Sequence, residues 1–140
     1  MRTIFVIALL ALLSACSLLP TDGTTKAIRP DQEFTLAEGR RADLLDSRLA
    51  VEFVGVPEDQ RCPREALCIA AGHAVVRLRA SEPGYAPVTL DVRTDTANPA
   101  APYSGWLIKV LELTPAPSTS DPDPDYQVRL MVSPVYTGNR

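Results

Sequence analysis

Apolar residues recur at every second position in six stretches of this chain. Phe34 and Leu36 open the series and run out at Gly39, and Leu49, Val51 and Phe53 alternate with Ala50, Glu52 and Val54. Ala74, Val76 and Leu78 then alternate with Val75, Arg77 and Arg79, and Val88, Leu90 and Val92 with Thr89, Asp91 and Arg93. Trp106, Ile108 and Val110 make a fifth stretch, and Val128, Leu130 and Val132 a sixth opposite Gln127, Arg129 and Met131. Strand side chains point alternately to the two faces of a sheet. Period two therefore predicts antiparallel strands, one face on a core and one in water. Turn chemistry separates them at Glu82-Pro83-Gly84, Asn98-Pro99 and the long segment Thr114–Asp125, which reads as a mobile connection. The one helical candidate, around Arg41–Ser47, is too short to hold as a helix by itself. Six or seven short strands in one domain predict an all-β fold, a small antiparallel β-sandwich or an open barrel. An immunoglobulin-like label would describe architecture only, because the cysteine–tryptophan spacing of that fold is absent.

The N-terminus breaks the alternation. Arg2 precedes an unbroken apolar run, Ile4–Leu13, followed by Ser14-Ala15-Cys16. As a helix that run spans about 15 Å, half of a bilayer's hydrocarbon, which suits a signal-peptide core and not a retained span. Leu13-Ser14-Ala15-Cys16 closely resembles the lipobox of bacterial lipoproteins. The resemblance implies a helical signal peptide over 1–15, cleavage before Cys16, and diacylglyceryl and palmitoyl-type acylation of Cys16. Each buried methylene contributes about 0.8 kcal/mol, so two or three chains hold a protein at a membrane. Ser17, with no Asp after the cysteine, implies sorting to the outer membrane, with the periplasmic face as the expected side. Residues 16–30, with Pro20, Asp22-Gly23 and Pro30 and no apolar period, read as a tether, and 31–140 as the β domain.

Composition narrows the partners. The 140-residue chain has a formal net charge of −3 and no cluster of Lys and Arg, which argues against nucleic acid. Thirteen prolines fit short strands and turns better than helices. No phosphate-cradling glycine loop, paired histidine ligands or nucleophile elbow is present, so neither an enzyme nor a cofactor is expected.

With Cys16 assigned to lipid, Cys62 and Cys68 remain, six positions apart between the second and third strands. In an exported protein two such thiols are expected to pair as a structural disulfide. A zinc site from Cys62, Cys68 and His73 and a redox-active pair are the alternatives. His73, the single histidine, falls in phase with Arg77 and Arg79, on the wet face. Around the cysteines the chain reads Gln60-Arg61-Cys62-Pro63, a short spacer, then Cys68-Ile69-Ala70-Ala71-Gly72. This resembles a motif of small uncharacterised bacterial exported proteins and lipoproteins: Ser-Arg-Cys-Pro, a spacer, Cys-Val-Trp-Ala-Gly and a strand. Arg61, Cys62, Pro63, Cys68, Ala71 and Gly72 match; Gln60 stands for Ser and Ala70 for Trp. Phe34-Thr35-Leu36 with Gly39 before the loop and the strand after Tyr126 fit the same family. The resemblance implies a small β domain and supplies no biochemical activity.

The expected function is therefore presentation of this loop, through Arg61, Pro63, Arg64 and Gly72, to an envelope protein or cell-wall component, since loops on rigid scaffolds carry recognition. A periplasmic hydrolase inhibitor and a metal-handling protein are the alternatives. Asp121-Pro122-Asp123-Pro124-Asp125 spaces three carboxylates as a calcium loop begins, but lacks its glycine and distal Glu, and reads as a solubilising loop.

Overall fold

The computed structural model describes residues 25–136; the signal peptide expected over 1–15, Cys16 and residues 17–24 lie outside them. The described chain forms nine strands: β1 Lys26–Ile28, β2 Glu33–Ala37, β3 Arg41–Leu44, β4 Ala50–Asp59, β5 Ala74–Ser81, β6 Val88–Arg93, β7 Ala100–Tyr103, β8 Trp106–Thr114 and β9 Gln127–Pro134. They build a five-stranded sheet in the order β1-β3-β4-β5-β6 and a four-stranded sheet in the order β2-β9-β8-β7. Every pairing is antiparallel except β1 with β3. Neither sheet closes on itself, so of the two expected architectures the sandwich is the one formed.

The six alternating stretches all become strands, and their apolar positions meet between the sheets. Phe53, Val76 and Leu78 of the first sheet and Ile108, Val128, Leu130 and Val132 of the second are fully enclosed, with Phe34, Leu36 and Leu49 beside them. Removing a side chain of this kind from water contributes about 1.5–3 kcal/mol, and this seam is what holds the two sheets together. Val88 is the exception in its stretch, 43% exposed where β6 begins on the open edge of the sheet.

Three strands lie outside the six alternating stretches. No helix forms at Arg41–Ser47: Arg41–Leu44 is β3, which pairs with β4 and buries Ala42 and Leu44 while exposing Arg41. Its helix-forming composition yields to the chance to bury two apolar side chains. β7 carries Pro102, which masks a strand signal but is tolerated on an edge strand. The first strand also lies before Asp31: Lys26–Ile28, which by composition reads as tether, pairs with Ala42–Leu44 and buries Ile28.

Two strands run further than their alternation suggested. β4 continues through Gly55-Val56-Pro57 to Asp59 with two register shifts, and β8 passes a shift between Val110 and Glu112 that returns Leu113 to the core. Bulges of this sort re-aim side chains where a regular ladder would misplace them. Both extensions lead to the same end of the sandwich, where β4 passes to β5 and β8 passes to β9.

The braced cysteine loop as candidate recognition site

Between β4 and β5 the chain spends residues 60–73 on a loop closed at its base by backbone pairing. The Gln60 amide donates to the His73 carbonyl at 2.7 Å and the Cys62 amide to that of Ala71 at 2.9 Å. Gly72 makes this closure possible. Its φ is +71°, and a Cβ there would collide with the Gln60 carbonyl oxygen. Cys62 and Cys68 are bonded to each other, their Cα atoms 5.9 Å apart. With both sulfurs so engaged neither is a thiolate ligand, and the zinc alternative loses two of its three residues. Among the described residues no group of three His, Cys, Asp or Glu side chains is placed to hold a metal.

Arg61 is not presented to solvent. Its Nε and Nη2 donate to the two carboxylate oxygens of Asp59 at 2.9 and 2.6 Å, and its Nη1 and Nη2 to the carbonyls of Leu113 and Pro115 at 2.7 and 2.8 Å. The Tyr126 hydroxyl donates to the same Asp59 carboxylate at 2.9 Å. This cluster ties the loop base in the first sheet to the β8–β9 connection leaving the second. The Arg61 side chain is 18% exposed and that of Asp59 9%, so the pair is largely withdrawn from water, and it is fully hydrogen-bonded, as such a pair must be. Burial acts to raise the Asp59 carboxyl, but the hydrogen bonds from Arg61 and Tyr126 outweigh it and leave the group below the usual carboxylate value. Burial, reinforced by the neighbouring carboxylate, pushes the Tyr126 phenol up to about 12.

The expected mobile connection after β8 is instead docked on the loop. The Arg64 amide donates to the Pro117 carbonyl at 3.0 Å, and the Glu65 carboxylate accepts from the Ser118 hydroxyl at 2.6 Å and the Thr119 amide at 3.2 Å. Asp121 bridges back to Ser118, and Asp123 and Asp125 line a shallow depression with Glu38 and Tyr126. His73 differs from expectation too. Its side chain is 14% exposed, with Nε2 3.1 Å from a Glu58 oxygen though not aligned for a hydrogen bond. The hairpin pairing continues past the strand ends and folds His73 in beside Glu58.

What the bracing holds out is apolar. Ala66, Leu67, Cys68, Ile69, Ala70 and Ala71 are all exposed, and Leu67 and Ile69 reach 105% and 109%, more than in an extended peptide. Of the expected contact residues, Arg64 is exposed and Pro63 half-buried, while Gly72 shapes the loop and Arg61 anchors it. Leu67 and Ile69 went unnoticed in the sequence, although six consecutive uncharged residues in an irregular segment were the available signal. No protein family, curated protein or solved structure matches this chain.

Proposed function

We propose that this protein is a lipid-anchored envelope lipoprotein, held by acylated Cys16 at the periplasmic face of the outer membrane, and that its β domain acts without catalysis by presenting the Cys62–Cys68 loop to a protein partner. The observation that carries the reading is the pair Leu67 and Ile69, fully exposed on a loop fixed by a disulfide, a part-buried ion pair and the docked β8–β9 connection. Monomeric domains seldom hold apolar side chains into water at such expense of bracing unless the surface meets something. Fixing the loop beforehand lowers the ordering entropy that binding must overcome.

The test compares partners cross-linked to the native full-length lipoprotein with those of a Cys62→Ser/Cys68→Ser form. Loss of a discrete partner in the double variant is the expected outcome; identical recovery from both removes the loop from the account. A hydrolase inhibitor is the special case in which the partner's cleft is catalytic, and inhibition of that hydrolase by the isolated lipoprotein distinguishes it.

A further inference from the structure

We infer that the loop tip, Ala66–Ala71, seats in a cleft of a partner protein that is apolar at its floor and cationic at its rim. The inference rests on the reading of the loop as the recognition element and specifies the chemistry of what it recognises. The tip carries no charge, and Leu67 and Ile69 project from it without touching their own domain. It cannot fold back to cover them. Cys62–Cys68 fixes one flank, the Cys62–Ala71 backbone bond closes the base, and Glu65 is held to Ser118 and Thr119. A projecting tip of two aliphatic side chains matches a concave apolar site and not a flat one.

The charge around the tip decides between a protein and a bilayer. At this end of the sandwich several charges are matched internally: Asp59 by Arg61, Asp95 by Arg93 and Glu58 beside His73. Glu38, Glu65, Asp121, Asp123 and Asp125 are exposed and take no part in an ion pair among the described residues. Arg40 and Arg64 stand against these five. Glu65, held by the Ser118 hydroxyl and the Thr119 amide, lies below the usual carboxylate value and keeps its charge. The unpaired charge on the end of the sandwich that carries the tip is thus net negative. Anionic lipid headgroups would repel that surface, whereas a Lys- or Arg-rimmed cleft complements it and accelerates encounter.

The test places a benzophenone photocross-linker next to the tip, as Ala66→benzoylphenylalanine in the full-length protein, in isolated envelopes, with adducts mapped to residues. The expected product is one protein adduct whose residues line an apolar cleft edged by Lys or Arg. Its yield should drop about tenfold with Ile69→Asp, an exposed position where the melting temperature should not move. It should also fall as salt rises from about 0.05 to 0.5 M, and Asp121→Asn/Asp123→Asn/Asp125→Asn should remove that salt dependence. Adducts chiefly to phospholipid, a protein site without a cationic rim, or yields indifferent to Ile69→Asp or to salt overturn the inference. If those outcomes coincide with disulfide-dependent partner recovery, the loop remains the recognition element and only its assigned partner chemistry falls. Loss of both results removes the loop's role as well.

Discussion

Arg61 shows how far a single residue's role can lie from its sequence neighbourhood. Beside Cys62 and Arg64 it reads as a cation offered to a partner, yet two of its acceptors are the carbonyls of Leu113 and Pro115, 52 and 54 positions away. Nothing in the local pattern reveals that, because the contact exists only once the two sheets have packed. Its neighbour Asp59 was equally silent in the sequence, being one of 17 acidic residues. Arg61→Ala leaves a largely enclosed carboxylate and two carbonyls without their donor, and should cost about 2–4 kcal/mol of stability in denaturant unfolding.

The same cluster gives the protein two pH limbs of opposite sign. Asp59 titrates below its unfolded value of 3.8 when folded, so its contribution is present above that pH and is lost as pH falls through the folded value. Tyr126 titrates at about 12 when folded, against 10.0 when unfolded. Its contribution is complete below pH 10 and is lost as pH rises towards 12. Thermal melts across pH should show the alkaline limb flattened in Tyr126→Phe and the acid limb flattened in Asp59→Asn. A Tyr126→Phe curve superimposable on the native one between pH 10 and 12 would remove the phenol from this account.

At the scale of elements, period-two alternation located all six of the strands it indicated, since a half-buried strand must alternate to satisfy both of its faces. β1, β3 and β7 were not legible for a shared reason. Each is three or four residues long and borrows its stability from a longer neighbour, so no periodic signal accumulates. The cysteine loop was legible as a unit through Cys62, Pro63, Cys68 and Gly72, but its apolar tip was not, because exposure is a property of the packed loop. In the chain-entropy picture a bridge between cysteines six positions apart contributes about 2 kcal/mol, so Cys62→Ser/Cys68→Ser should lower the melting temperature modestly without unfolding the sandwich. Gly72→Ala should be comparably damaging, by about 1–3 kcal/mol. It forces a side chain into a left-handed backbone and against the Gln60 carbonyl while leaving the disulfide free to form.

For the whole molecule, the proposed function divides the work between leader and domain. On that proposal acylated Cys16 would set the address, while the sandwich sets the geometry in which the loop is displayed. Cys16→Ser should move the protein from membrane to soluble fractions while leaving its unfolding curve unchanged; retention in the membrane would defeat the anchor. The end of the sandwich carrying the loop also gathers the Asp121–Asp125 segment, a juxtaposition that chain order conceals because some fifty residues separate the two. The apolar tip and the acidic segment, far apart along the chain, thereby share one end of the sandwich.

β1 has a mechanical consequence. It lies parallel to β3, and the chain enters it at Lys26 from the side towards which β4 delivers the cysteine loop. A load between an N-terminal anchor and a captured partner would therefore be applied at one end of the sheet and act across the axis of β1. Its Lys26–Ala42, Ala27–Asp43 and Ile28–Leu44 pairings would then open one after another from Lys26, as in a zipper, instead of resisting together in shear.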